Sequence, residues 1–130
     1  MIHHLKPGQT VTVKVYAHTR YSLNSFAVKS GEHYRCYCQP AQRWKDWFIW
    51  SGPDGYFNPL AWLFGTRVKG SKCFCLCGVF DRDDGTAFRI GTERRIEVEN
   101  GASLCFFAND SRFAYRNNSG SVRVEVTRLL

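Results

Sequence analysis

No apolar stretch in this 130-residue chain approaches the roughly 18 residues a membrane-crossing helix needs. The opening residues, Met1-Ile2-His3-His4-Leu5-Lys6-Pro7-Gly8, also lack the long apolar segment of a secretory signal peptide. The sequence therefore points to a cytoplasmic protein, unless a non-classical route releases it. Basic runs are missing too. Lys and Arg number 18 against 11 Asp and Glu, a formal net charge of +7, yet no run exceeds Arg94-Arg95. Such an excess fits an anionic partner such as nucleic acid, a membrane surface or an acidic glycan, and it also fits a solvated surface. The scatter favours the solvated surface. No RRM or cold-shock signature appears, and aromatic and basic residues do not interleave on a recognisable strand face, so nucleic acid is not an expected partner. Catalytic signatures are equally scarce. The four histidines, His3, His4, His18 and His33, all fall in the first third. There is no G-x-S-x-G motif and no carboxylate pair set up for acid–base work, so no enzyme is expected.

Zinc-type cysteine pairs are absent as well. The six cysteines, Cys36, Cys38, Cys73, Cys75, Cys77 and Cys105, favour an i, i+2 spacing instead of C-x₂₋₄-C. That is strand periodicity, with each set on one face. Reduced thiols packed in a sheet are the favoured reading, and a disulfide between neighbouring strands is the other.

What is present is a series of short strands, and no helical period runs through the chain. Thr10 to Ala17 alternates as a half-buried strand does, and so does Val122 to Val126. Shorter strand patterns lie at Asn24–Lys29, His33–Cys38, Phe88–Gly91, Arg95–Val98 and Ser103–Ala108, divided by Gly, Pro, Asn and Ser turns. Lys72 to Phe80 is apolar on both faces and predicts a central strand. Tyr56 to Gly70 holds Pro59 and Gly65 with no clean period, and predicts a long loop with one short helical turn. Asp81-Arg82-Asp83-Asp84-Gly85 looks superficially like the start of an EF-hand. Its glycine comes one place early and no Glu closes the loop, so a hairpin turn explains it better. The fold class that follows is all-β, two antiparallel sheets packed as a β-sandwich or jelly roll, in one domain over residues 1–130. Val11, Val13, Val15, Leu104, Phe106, Val122, Val124 and Val126 should face inward.

The loop from Asn109 to Gly120 carries the chemistry. An apolar run, Leu104 to Ala108, leads in, and the Val122–Val126 run leads out. Asp110 offers a carboxylate, and Asn117 and Asn118 offer amide carbonyls, the hard oxygens that calcium prefers. Adjacent Asn side chains on a strand would point to opposite faces. They can converge only where the chain turns, which Ser119-Gly120 permits. The composition equally describes an ordinary Asn- and Ser-rich surface loop.

Asp110, a six-residue gap and then Asn117-Asn118-Ser119-Gly120 resemble the calcium loop of the LecA-type (PA-IL-type) bacterial galactose-binding lectins. The likeness is strongest from about Leu76 to the C-terminus. A weaker match covers Trp44 to Gly55, where Trp50-Ser51-Gly52-Pro53-Asp54-Gly55 resembles the family's Trp-Pro-Gly turn. The resemblance implies a calcium ion held by Asp110, Asn117, Asn118 and the main-chain carbonyls of Ala114 and Trp47. It implies that this ion takes two adjacent hydroxyls of a galactose-like glycan, and it allows a homo-oligomer. The ligand-facing set is then Asp110, Ser111, Asn117 and Asn118, bordered by Tyr56 and Trp62. One departure stands out. The family's His and Gln, which touch the sugar shortly after the Trp-Pro-Gly turn, have no counterpart in Tyr56-Phe57-Asn58-Pro59-Leu60-Ala61-Trp62. Aromatic rings there could stack on a sugar instead, although burial in the fold is their commoner fate. The alternative to a lectin is a β-sandwich whose calcium only orders the loop and which serves protein interaction.

Overall fold

The computed structural model describes residues 2–111 and 114–130, with the backbone alone for Ile2, His3, Trp62 and Phe64. Among the described residues eleven strands are formed: β1 (Ile2–His4), β2 (Thr10–Tyr16), β3 (Ser25–Val28), β4 (His33–Tyr37), β5 (Trp44–Asp46), β6 (Ile49–Ser51), β7 (Leu76–Phe80), β8 (Phe88–Arg89), β9 (Glu93–Glu97), β10 (Ala102–Ala108) and β11 (Asn118–Arg128). One short helix, α1 (Pro59–Phe64), interrupts them. One sheet runs β1-β3-β10-β7-β8 and the other β6-β5-β11-β4-β9, with β2 also on β11. All pairings are antiparallel except β1 on β3. The expected sandwich is therefore the observed architecture. Among the described residues no helix is long and apolar enough to cross a membrane.

Alternation makes the core. Val13, Val15, Val122, Val124 and Val126 are buried from the second sheet. Phe26, Leu76, Leu104 and Phe106 are buried from the first, and Val11 packs half-buried at the margin. The pairing Val13↔Val124 and Val15↔Val122 puts equivalent side chains on the same face, which is how a two-residue period becomes one apolar layer. β7 is covered on both sides, as its unbroken apolar run predicts.

The strand expected from Lys72 starts only at Leu76. Phe74 sits at φ 66°, a left-handed conformation that stops pairing for a residue of this bulk. The bend also divides the cysteines that one strand would have aligned. Cys73 joins the inter-sheet core. Cys75, Cys77 and Cys105 pack with Val79 and Phe107 in a second cluster, closed by Tyr21, Val68 and Ala87. All six thiols are free and buried. The turn expected at Asp81–Gly85 is longer than a two-residue hairpin: Asp81 and Arg82 are both left-handed, and a 3-10 turn over Asp84–Thr86 follows.

A buried ionic cluster closes one end. Glu32 accepts from the Lys29 N–H at 2.6 Å and the Tyr34 hydroxyl at 2.9 Å, lies 2.7 Å from His4 Nε2, and pairs with Arg128 Nη2 at 3.0 Å. Burial pushes its carboxyl up, but these hydrogen bonds outweigh it and hold the group below the ordinary carboxylate range. A lowered folded value means that the stabilisation is present above the unfolded pKa and is lost as pH falls through the folded one. Glu32→Gln should cost about 2 kcal/mol at neutral pH, because charge-assisted bonds become neutral ones. Urea melts across the acid range should show that difference shrinking, and a pH-independent difference would reject the charge argument.

Candidate functional site

The loop after β10 is built from its buried anchors outward. Asn109 is fully buried, and its side chain works on a neighbouring loop. Oδ1 accepts from the Val68 N–H at 2.9 Å, and Nδ2 faces Thr66 Oγ1 and the Lys72 carbonyl, both at 3.1 Å. The held loop carries Arg67, whose backbone N–H donates to the Asp110 carbonyl at 3.1 Å. The Arg67 guanidinium is buried against the Phe107 ring, pairs with Asp84 at 2.9 Å, and donates to the Tyr115 hydroxyl at 2.9 Å. Tyr115 in turn donates to the Ala108 carbonyl at 2.7 Å. Both ends of the loop are thus fixed before Asp110 is considered.

Asp110 is buried. Its Oδ1 accepts from the Ser111 N–H at 2.8 Å, and its Oδ2 from Asn118 Nδ2 at 3.0 Å. Burial pushes the carboxyl up to about 6, against the pull of those two hydrogen bonds, and the Asp46 charge raises it further. Asn118 opens β11 and is also buried; its Nδ2 is committed to Asp110 and to the Ala17 carbonyl at 3.0 Å. Both neighbours are acceptors, so the orientation of the amide is set by them. Among the described residues its Oδ1 then has no hydrogen-bond partner, although it is shielded from solvent. A buried amide oxygen left bare costs on the order of 1–3 kcal/mol and calls for an explanation.

The second half of the site comes from the β5–β6 hairpin. β5 lies on the first residues of β11, with Asp46 opposite Asn118 and Trp44 opposite Gly120. Gly120 is needed there: it sits at φ 82°, and a Cβ would stand 3.3 Å from Trp44 Cα. Trp44 is fully buried and its indole N–H donates to the Phe74 carbonyl at 3.1 Å. At the hairpin tip the Trp47 N–H donates to the Asn117 carbonyl at 3.0 Å. Trp47 takes φ 55°, a conformation costing roughly 1–2 kcal/mol for a residue with a Cβ.

Of the residues singled out from the sequence, Asp110, Ser111 and Asn118 come together directly. Asn117 and Trp47 meet through their backbones, and the Asn117 side chain is on the exposed side. Ala114 lies at the start of the 3-10 turn Tyr115–Asn117, with its N–H on the Ser111 carbonyl at 3.1 Å. Tyr56 reaches the site through Asp46, donating to its Oδ2 at 2.5 Å. Trp62 is placed in α1, and its side chain lies outside the described residues. Asp46 itself was missed. It shares the inward face of β5 with Trp44, two residues away, and that parity was the available signal. Among the described residues no three His, Cys, Asp or Glu side chains gather to hold a metal. An ion here would depend on the Asp110 carboxylate with amide and main-chain oxygens, a donor set that suits a hard cation such as calcium and not zinc.

No family model matches the chain, and no curated protein matches it. A solved structure does match, the N-terminal domain of EclA, described as a PllA-like lectin. The fold resembles that of a PllA-like lectin. The two superpose with a TM-score of 0.66 over 90% of this chain and 94% of that one, at 20% identity. The likeness is one of fold, and it spans both sheets.

Proposed function

We propose that this protein is a calcium-dependent carbohydrate-binding protein, non-enzymatic, that takes galactose-type sugars at the 109–120 loop. The observation that carries the reading is the Oδ1 of Asn118, buried beside the Asp110 carboxylate and without a hydrogen-bond partner among the described residues. A buried oxygen that faces no donor is the arrangement a cation ligand adopts. The lectin fold of the neighbouring structure supports the same reading.

Asp110, Asn117 and Asn118, with the carbonyls of Ala114 and Trp47, would hold the ion. Calcium takes about six to eight oxygens, so about two places stay open for adjacent sugar hydroxyls. The chain's own part is to keep these oxygens in place, through Tyr115, Arg67 and Asn109. One carboxylate among the ligands implies modest ion affinity, nearer that of extracellular modules than of cytosolic buffers. The family's His and Gln are missing, so selectivity among sugars rests on the ion and on the bordering rings. Phe57 is exposed for such a contact, whereas the Tyr56 hydroxyl is already engaged by Asp46.

Calorimetry with galactose, mannose and fucose, with and without calcium, tests this. The expected result is weak, millimolar-range binding, best for galactose-like sugars, that a chelator removes entirely. Heat from none of the sugars would favour a calcium that only orders the loop. Heat that survives chelation would break the mechanism.

A further inference from the structure

The β5–β6 hairpin exposes its tip to an unusual degree. Trp47 is 63% exposed, Phe48 72% and Trp50 62%, and Ile49 is exposed beside them. The connection is a two-residue turn, since Asp46 pairs with Ile49, so the rings stand on a narrow convex edge. Trp47 and Phe48 pack on each other at 4.6 Å, which keeps them together in solvent instead of folding them into the core. Trp47 is also held in its left-handed conformation by the bond to Asn117. The apolar surface continues beyond the hairpin. Asp46 Oδ2, the Tyr56 hydroxyl and the Asn58 side chain are linked in series, and Asn58 caps α1 through the Leu60 and Ala61 N–H groups. This places the start of α1, with exposed Phe57 and Leu60, close to the hairpin. A solvated protein rarely leaves so many large apolar groups together unless something covers them.

Charge decides what covers them. Lys45 lies over the Trp50 ring at 5.2 Å, and Lys69 and Lys72 rim the groove beside α1 together with Phe57 and Leu63. The hairpin's own acid, Asp46, is turned to Tyr56 on the inner side. Two copies of this face would bring lysines against lysines, whereas an anionic surface would be attracted to them. Trp and Phe on a protruding edge with flanking lysines suit the boundary between lipid headgroups and acyl chains, where an indole can stay half-wet.

We propose that the hairpin tip and the start of α1 form a docking edge for an anionic lipid surface, with Trp47, Phe48 and Trp50 entering the headgroup region and Lys45, Lys69 and Lys72 meeting the lipid charges. Docking of this kind needs no bound calcium, although Trp47 joins the edge to the 109–120 loop through its bond to Asn117.

The full chain would be sedimented with phosphatidylcholine vesicles, with or without phosphatidylserine, in chelator, at low and high salt. Sedimentation velocity of the free protein would run alongside. The expected result is co-sedimentation with the phosphatidylserine vesicles that weakens as salt rises. Phe48→Asp, and separately Trp50→Ala, should lower partitioning about tenfold or more while melting temperature and calcium response stay unchanged. Both side chains are exposed, so these variants should fold. The proposal is overturned by wild-type protein that sediments with neither vesicle, by variants that bind as well as wild type, or by binding that appears only when calcium is restored. A free protein that is a dimer, split by Phe48→Asp and without vesicle binding, would assign the edge to a second copy and overturn it too.

Discussion

Asp110→Asn should abolish the calcium response of the protein and leave the calcium-free fold as stable as wild type, or more stable, at neutral pH. Burial holds the Asp110 carboxyl up to about 6. A raised folded value contributes stability below the unfolded pKa and loses it as pH rises through the folded one. At neutral pH the calcium-free protein therefore keeps an ionised carboxylate where it disfavours one, at a cost on the order of 3 kcal/mol. The amide removes that cost, and gives up roughly 1 kcal/mol for the acceptor that Asn118 Nδ2 loses. With calcium the order reverses. An ion that binds only the folded state adds about 2.7 kcal/mol when present at about a hundred times its Kd, and only the wild type has the charge to gain it. The ion also competes with a proton for this carboxylate, so the calcium-induced rise in Tm should shrink as pH falls below about 6. Calorimetric melts of both proteins, with calcium and with chelator, at neutral and mildly acid pH, read all three effects. A calcium-induced shift in the variant equal to that of wild type would place the ion elsewhere.

The parts of this molecule that were legible in the sequence are those where one local pattern has one structural outcome. Thr10–Ala17 and Val122–Val126 alternate, and a strand with one buried face is the only economical way to satisfy them. They pair directly, Val13 with Val124 and Val15 with Val122. The likeness read from about Leu76 to the C-terminus agrees, at the level of fold, with a structural match that covers 90% of the chain. Tyr56–Gly70 was hard to read and holds one short helix, whose start Asn58 and Pro59 fix. Legibility failed where a single dihedral decides the outcome. Nothing in Lys72-Cys73-Phe74-Cys75 announces that Phe74 turns left-handed, yet that turn ends the expected strand and sends Cys73 and Cys75 to different clusters. It failed again where a contact depends on register between distant segments. Asp46 matters because β5 lies opposite Asn118, a pairing across about half the chain that no local motif encodes. Asn109 was passed over for a related reason. In sequence it is the residue before the carboxylate; in space it is the peg for the 66–72 loop.

That role gives Asn109→Ala its expected effect, a large loss of stability that exceeds those expected at Glu32 and Asp110. Two amide hydrogens and one carbonyl oxygen serve Thr66 Oγ1, the Lys72 carbonyl and the Val68 N–H, and the Val68 and Ser71 carbonyls stand close enough to share the donors. Removing the group strips about three bonds at about 1 kcal/mol each and leaves polar atoms of a half-buried loop without partners, for a loss of about 4 kcal/mol. The proposed calcium site should weaken with it, although Asn109 would offer the ion nothing. The freed loop carries Arg67, which holds the Asp110 carbonyl through its backbone and Tyr115 through its guanidinium. Asn109 is in this sense a positioning residue, and the two variants at the site should differ in kind. Asp110→Asn removes the calcium response and keeps the fold, whereas Asn109→Ala lowers the calcium-free Tm first and calcium affinity as a consequence. Hydrogen exchange supplies the readout a general loss of stability would not, because the Val68 amide should lose its protection ahead of the β10 and β11 amides. Asn109→Asp sharpens the case. It keeps the acceptor for Val68 but turns a carboxylate toward three carbonyl oxygens, so it should be worse than Ala at neutral pH and recover as acid protonates it. An Asn109→Ala protein with wild-type Tm and wild-type calcium response would show that the 66–72 loop stays in place without its peg, and that Asp110 is held by its own hydrogen bonds alone.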